Sequence, residues 1–524
     1  MLLGLSAPRA LVRDLFLRLL GLIFLAAFCS LLVQVTLLFG RHGLLPAQEY
    51  LTATRAAGFL AVPTLFWLNA SDAMLWGTCV AGIVVSAAFT LNIAPRYCLV
   101  VLWVLYLSVV NVGQVFLSFQ WDSLLLETAL FAVLVAPPGW YPRRVPAPHP
   151  IAVFLMLWLL FRLHVESGAA KLLLGDPTWR DLTALVSYYE TAPLPTWIGW
   201  YAHQMPLWAH RLCTLLTLVV ELVVPLFIWG SARVRLAAFG SMLLLQVAML
   251  LTANYGFFNY LTMALALFVL DDRQVAAVAA RCGVTVAARP PRPAPRIRTL
   301  MLTTVASISV ALSIVPFVPL LPVPVRLQRE LLPLQRGLDR WRSINAYHLF
   351  ANMTLIRREV VIEGSRDRVQ WEPYEFRYKP GDPDRPPPFV APHQPRVDFQ
   401  LWFLLLGGPP RARYFETLLA RLFDAPDTVA ALFARDPFPH HPPQWLRLAF
   451  YRYRFTDADT RRTTGHWWQR ELLGYSRPLS SAVGTTSLAP PFRLSFAGAG
   501  GVLSGHLRGC KMAALPLPPD TERR

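Results

Sequence analysis

Along the first part of the chain, apolar residues come in unbroken runs rather than in alternation or one-sided stripes. The runs lie at about 15–39, 73–91, 97–117, 124–137, 151–170, 210–229, 233–253, 256–270 and 299–321. A helix of roughly 20 apolar residues spans the hydrocarbon of a bilayer. The pattern therefore predicts a membrane all-α multi-pass bundle over residues 1–323, with about nine spans. The fourth and eighth runs are short and predict half-helices or re-entrant segments shielded by their neighbours. Arg9 and Arg13 precede the first run, which is longer than a signal-peptide core and lacks a small-x-small cleavage site. It reads as an uncleaved anchor.

After Val323 the pattern changes, and prolines at 316, 319, 322 and 324 close the last run. Glu359–Glu363 reads as a short strand. Gln370–Lys379 alternates and ends at a Pro380-Gly381 turn, and Val397–Leu406 predicts a buried strand. Tyr414, Leu418 and Leu422 share a helix face. Asp427 predicts the cap of a short helix through Arg435. Trp445–Phe455 alternates again. Together these predict a compact mixed α/β-type outer domain at 324–480. The Ser/Gly/Ala/Pro-rich stretch at 481–524 predicts a disordered tail.

Composition agrees with a bilayer. Hydrophobic residues make up 55% and charged residues 15%, against about 25% charged in a soluble domain. A plain soluble enzyme is excluded. The net charge of +18 comes from arginines scattered through short loops and the C-terminal third, with only Lys171, Lys379 and Lys511 as lysines. Such arginines set topology and meet lipid headgroups, so no nucleic-acid partner is expected. Counted over alternate loops, Lys and Arg total thirteen on one side and five on the other. The excess places the N-terminus in the cytoplasm and the outer domain in the lumen or periplasm. The sequons at Asn69 and Asn352 fall on that outer side.

Ionisable residues inside the runs mark the candidate site. Asp122 and Glu127 open the fourth run, and Arg162, His164, Glu166 and Lys171 occupy the second half of the fifth. Each costs about 3 kcal/mol at the bilayer centre, so each needs a partner or water. At about 1.5 Å of rise per residue they share one depth near the outer leaflet, and Arg162 and Glu166 are i,i+4 neighbours. Two readings stand. One is a charge-paired set that fixes helix packing; the other is a polar cavity that binds a client segment or performs acid/base chemistry. The aromatic loop at 171–209, with Trp179, Tyr188, Tyr189, Trp197, Trp200 and Tyr201, reads as an interfacial belt or as part of a client surface. None of the six cysteines forms a CxxC, and GxxxxGK[ST], HExxH and GxSxG do not occur. His440-His441 lacks a metal-ligand partner at useful spacing. No metal and no cofactor is expected.

Several stretches resemble the lipase maturation factor family. They are Val109–Gln114, Phe119–Thr128, Trp179–Leu185, Tyr188–Thr191 and Asn254–Thr262. Beyond the spans they are Glu372–Gly381, Arg385–Arg396 with Asp398 and Trp402, Asp436–Pro443, Tyr451–Phe455 and Trp467-Trp468. The similarity runs from about 12 to 480. It implies a multi-pass protein of the endoplasmic reticulum membrane, or of the inner membrane in a bacterium, that assists folding and assembly of secreted homodimeric lipases. It also implies that the C-terminal domain contacts the client lipase or other exported protein, and it carries over no catalytic residue. Aromatic and arginine residues are enriched at interfaces, which makes Trp371, Tyr374, Tyr378, Trp402, Tyr451, Arg452, Trp467 and Trp468 the candidate client-binding set. The alternative function is a membrane enzyme that uses the intramembrane acid/base cluster on a lipid- or quinone-like substrate. A cavity against the cluster favours the enzyme, and a filled, paired bundle favours the folding factor.

Overall fold

In hydrocarbon every backbone N–H and C=O must be paired within the protein, and apolar runs of this length achieve that as helices. The computed structural model describes residues 5, 7–143, 145–283, 295–321, 323–406, 412–439 and 441–480. The tail expected at 481–524 and His440 lie outside the described residues. The main helices are α1 (Ala10–Leu32), α2 (Asp72–Thr90), α3 (Pro95–Val112), α4 (Gln120–Val135), α5 (Pro150–Leu173), α6 (Trp197–His203), α7 (Leu207–Leu222), α8 (Ala232–Thr252), α9 (Phe258–Ala266), α10 (Asp272–Arg281), α11 (Arg296–Leu312) and α12 (Val325–Trp341).

Among the described residues, six helices are long and apolar enough to cross a membrane: α1, α2, α3, α5, α8 and the stretch Arg296–Leu320 that contains α11. A seventh is added when α6 and α7, bent by 114° at their junction, count as one broken span. The expected nine therefore reduce to six or seven by length. The two short runs account for most of the difference. α4 has 16 residues and α9 has nine. Both are nonetheless buried and run between the same two ends of the bundle. At one end Asp122 of α4 meets the C-terminal domain. At the other, Arg96 donates to the carbonyl of Ala136, and Arg9 donates to the carbonyls of Phe268 and Leu270 just after α9. A helix wrapped by its neighbours has no need to match the thickness of the lipid. The sixth run stops early as a helix at Leu222, because Pro225 cannot donate to the ladder and a 3-10 turn follows. α1 and α2 approach closely at Gly82, where an added Cβ would lie 2.4 Å from the ring of Phe28.

The C-terminal domain is an antiparallel sheet with helices. Its strands are β1 (Arg357–Ser365), β2 (Glu372–Pro373), β3 (Glu375–Phe376), β4 (Phe433–Arg435), β5 (Trp445–Phe455), β6 (Trp468–Tyr475) and β7 (Leu479–Ser480). The main sheet has the order β2-β1-β5-β6, with β7 also on β5, and β3 pairs with β4. β1 and β5 pair from Arg357↔Tyr453 to Ser365↔Trp445. Three expectations are corrected. Val397–Leu406 is not a strand: α13 (Arg396–Leu401) and a 3-10 turn occupy it. An all-apolar run of that length does not distinguish a buried strand from a buried helix. Asp427–Arg435 is two 3-10 turns and β4 rather than a capped helix. The alternating segment Gln370–Lys379 makes only the two short bridges of β2 and β3. α14 (Arg413–Asp424) buries Tyr414, Leu418 and Leu422.

The two parts share one hydrophobic core. Phe119, which precedes α4, and Trp121 in its first turn pack edge-on against Phe399 of α13 at 5.0 and 5.1 Å. Phe116 meets Tyr414 at 5.2 Å.

Candidate functional site

The polar residues of the fourth and fifth runs do not form one cluster; they form separate paired sets at the end of the bundle that carries the C-terminal domain. The central set lies between α4, α5 and the segment that follows α12. Arg162 donates from Nη1 to Glu127 Oε1 at 2.7 Å and from Nε to Glu166 Oε1 at 2.9 Å. Its Nη2 donates to the carbonyl of Asn345. The second oxygen of Glu127 accepts from the Asn345 backbone N–H (2.9 Å), its Nδ2 (3.0 Å) and the Tyr347 hydroxyl (2.7 Å). The second oxygen of Glu166 accepts from the Tyr347 backbone N–H at 3.0 Å. Glu127 is fully buried and Arg162 is 4% exposed. Every carboxylate oxygen and every guanidinium nitrogen in this set has a partner. Arrangements of this kind hold an ion pair in low dielectric by satisfying its remaining lone pairs.

Asp122 belongs to a second set. Arg396, at the start of α13, grips it with two hydrogen bonds of 2.6 and 2.8 Å, and Tyr106 of α3 adds a third at 2.6 Å. Burial alone would lower the Arg396 guanidinium, but Asp122 outweighs it and holds it above its ordinary range. Lys171 forms a third set with Glu221 of α7, 2.8 Å away, and lies over the ring of Trp179. His164 joins none of them. Its Nδ1 meets the Leu160 carbonyl at 2.9 Å, and its Nε2 has no hydrogen-bond partner among the described residues.

A fourth set links the sheet to the aromatic loop. Arg357 of β1 pairs with Glu359 and donates to the carbonyls of Glu190, Ala192 and Pro193. Lys379 completes it at 2.9 Å from Glu359. Burial would raise the Glu359 carboxyl, but Lys379 and Arg357 outweigh burial and hold it below its ordinary value.

No local spacing groups the partners Asn345, Tyr347, Arg396 and Glu221 with these residues. They lie far along the chain, and only the fold brings them in. The proline-rich stretch Arg385–Arg396 turns out to be a strap across the end of the bundle. Asn254 accepts from the N–H groups of Val390 and Ala391 and donates to the Pro388 carbonyl. Ser30 and Gln34 of the first run hold His393, Gln394 and Arg396.

The candidate client-binding residues divide by burial. Tyr374 and Trp468 are 2% and 1% exposed and belong to the core. Trp402 donates to the Thr191 carbonyl, and Trp467 lies half-buried beneath Arg461. Trp371, Tyr378, Tyr451 and Arg452 are half-buried. In the aromatic loop Trp179, Tyr188, Tyr189 and Trp200 are buried, whereas Trp197 and Tyr201 are exposed. Asn69 is exposed just before α2, and Asn352 is half-buried before β1.

Residues 11–277 match the model of the lipase maturation factor transmembrane domain, and residues 343–478 match that of the lipase maturation factor C-terminal domain. The chain belongs to the lipase maturation factor family. Lipase maturation factor 2 of Gallus gallus is 34% identical, over 88% of this chain and 80% of that protein. The Homo sapiens protein of the same name is 33% identical, over 89% and 82%. Lipase maturation factor 1 of Bos taurus is 32% identical, over 90% and 89%. No solved structure matches. The chain is thus a multi-pass membrane protein with both modules of the lipase maturation factor family. The central charge set bridges them: Glu127, Arg162 and Glu166 lie within the first match, and Asn345 and Tyr347 open the second.

Proposed function

We propose that this chain is a membrane-embedded folding and assembly factor for exported lipases. The helical bundle, through about Val323, anchors and orients it, and the C-terminal domain contacts the client. Membership of the family carries the lipase assignment. The pairing of every carboxylate oxygen in the Glu127–Arg162–Glu166 set supports a folding factor over an acid/base enzyme. A catalytic carboxylate needs a lone pair or proton open to substrate, and these oxygens are already engaged within the chain. The loop charges support a cytoplasmic N-terminus and a lumenal or periplasmic C-terminal domain, with the endoplasmic reticulum as the eukaryotic site.

Tyr374 and Trp468 leave the client surface to partly exposed residues, and we take Trp371, Tyr451 and Arg452 as its centre. Replacing Trp371 or Tyr451 with a photo-crosslinking amino acid, in cells that secrete a homodimeric lipase, should trap the lipase on this chain. Crosslinks only from control positions on α14 would move the surface elsewhere, and none from any position would remove direct contact.

A further inference from the structure

α12 follows the last apolar stretch, which ends at Leu320. Leu327, Leu331, Leu334, Leu338 and Trp341 recur at intervals of four and three, which places them on one face, and Leu332 falls outside it. Four arginines recur at 326, 329, 336 and 340 on a second face. The protein covers the apolar face only in part. Leu338 is buried with Val315 and Ile344, with Leu331 against them, and Trp341 stacks on Trp103 at 6.2 Å. Leu327 and Leu334 stay 41% exposed. On the polar face Arg326, Arg329 and Arg336 are exposed, and among the described residues Glu330 pairs with Arg326.

A helix with one apolar and one arginine-rich face, joined to a span by a few residues, has the chemistry of a segment lying in the plane of the membrane surface. We propose that α12 lies in the membrane–water interface on the side of the C-terminal domain, its bare leucines toward the acyl chains, and that Arg326, Arg329 and Arg336 bind anionic phospholipid headgroups. The bilayer is the occupant that the position favours, because the chain leaves the last span four residues before the helix begins. Bound this way, α12 would fix the tilt of the C-terminal domain, since Asn345 and Tyr347 follow it directly.

The test is hydrogen exchange of the full chain in nanodiscs of phosphatidylcholine alone or mixed with phosphatidylglycerol, read in the peptide 325–341. Anionic lipid should slow exchange there by about fivefold for each arginine that meets a headgroup. Added salt should reverse the effect. Arg326→Gln, Arg329→Gln and Arg336→Gln together should abolish the difference between the two lipids while exchange in α5 and β5 stays unchanged, which shows that the variant is folded. Equal exchange in both lipids would overturn the proposal. So would protection that appears only when a client lipase is added, which would make this face a protein-docking surface.

Discussion

Arg162 is the residue on which the buried network turns. One guanidinium serves two carboxylates on two helices and a carbonyl from the segment that opens the C-terminal domain. Replacing it with alanine would leave Glu127 and Glu166 buried without a counter-charge, at about 3–5 kcal/mol. Arg162→Ala should therefore unfold at a clearly lower temperature in detergent and accumulate poorly. Arg162→Lys should rescue little, because an ammonium cannot reproduce the three directions of the fork. A normal unfolding temperature with lost lipase maturation would instead assign the set a direct role. Glu359 makes a prediction in pH. Its carboxyl is held below its ordinary value in the fold, so the stability it contributes is present above the unfolded value near 4.3 and is lost as pH falls through the lower folded one. Glu359→Gln should flatten the acid limb of the unfolding of the full chain followed by tryptophan fluorescence. An unchanged acid limb would show that other carboxylates dominate it.

At the scale of elements, the junction between the bundle and the sheet is made of motifs rather than a linker. Arg396→Ala would leave Asp122 without its cation and release the strap from α4. Limited proteolysis should then cut near 385–396 while α4 and α5 remain protected. Unchanged resistance would mean that Asn254, Ser30 and Gln34 suffice to hold it. This junction also marks where the sequence stops being readable. Long apolar runs and the alternation of Trp445–Phe455 are local signals, and they coincide with helices and with β5. The i,i+4 link between Arg162 and Glu166 was likewise visible, because one helix sets it. Arg396 reaches Asp122 across 274 residues and Tyr347 reaches Glu127 across 220. No spacing encodes such pairs. The Val397–Leu406 run misled for a related reason: an apolar stretch says that it is buried, not which backbone it takes. Trp468 and Tyr374 looked like interface residues by type, and only packing showed them to be core.

For the whole molecule, the shared core means that neither half is a free module. A chain stopped at Arg326 would lose Arg396, Asn345 and Tyr347, and would leave Asp122, Glu127 and Glu166 short of partners. It should fail to accumulate, so truncation cannot separate anchor from working part; substitutions on the exposed surface can. In sealed microsomes a tag after Tyr475 should resist added protease while an N-terminal tag is digested, and the reverse result would invert the topology. The central claim is that this chain matures exported lipases without chemistry of its own. Its most direct test is expression in cells that lack their own lipase maturation factor, with secreted lipase activity measured per unit of lipase protein. The full chain should raise that specific activity. Glu127→Gln, which keeps the size of the side chain, should keep the increase wherever it accumulates to the normal level. Full-length chain at normal membrane levels with no rise would contradict the lipase assignment. A rise abolished by Glu127→Gln at normal abundance and stability would contradict the structural role of the buried set.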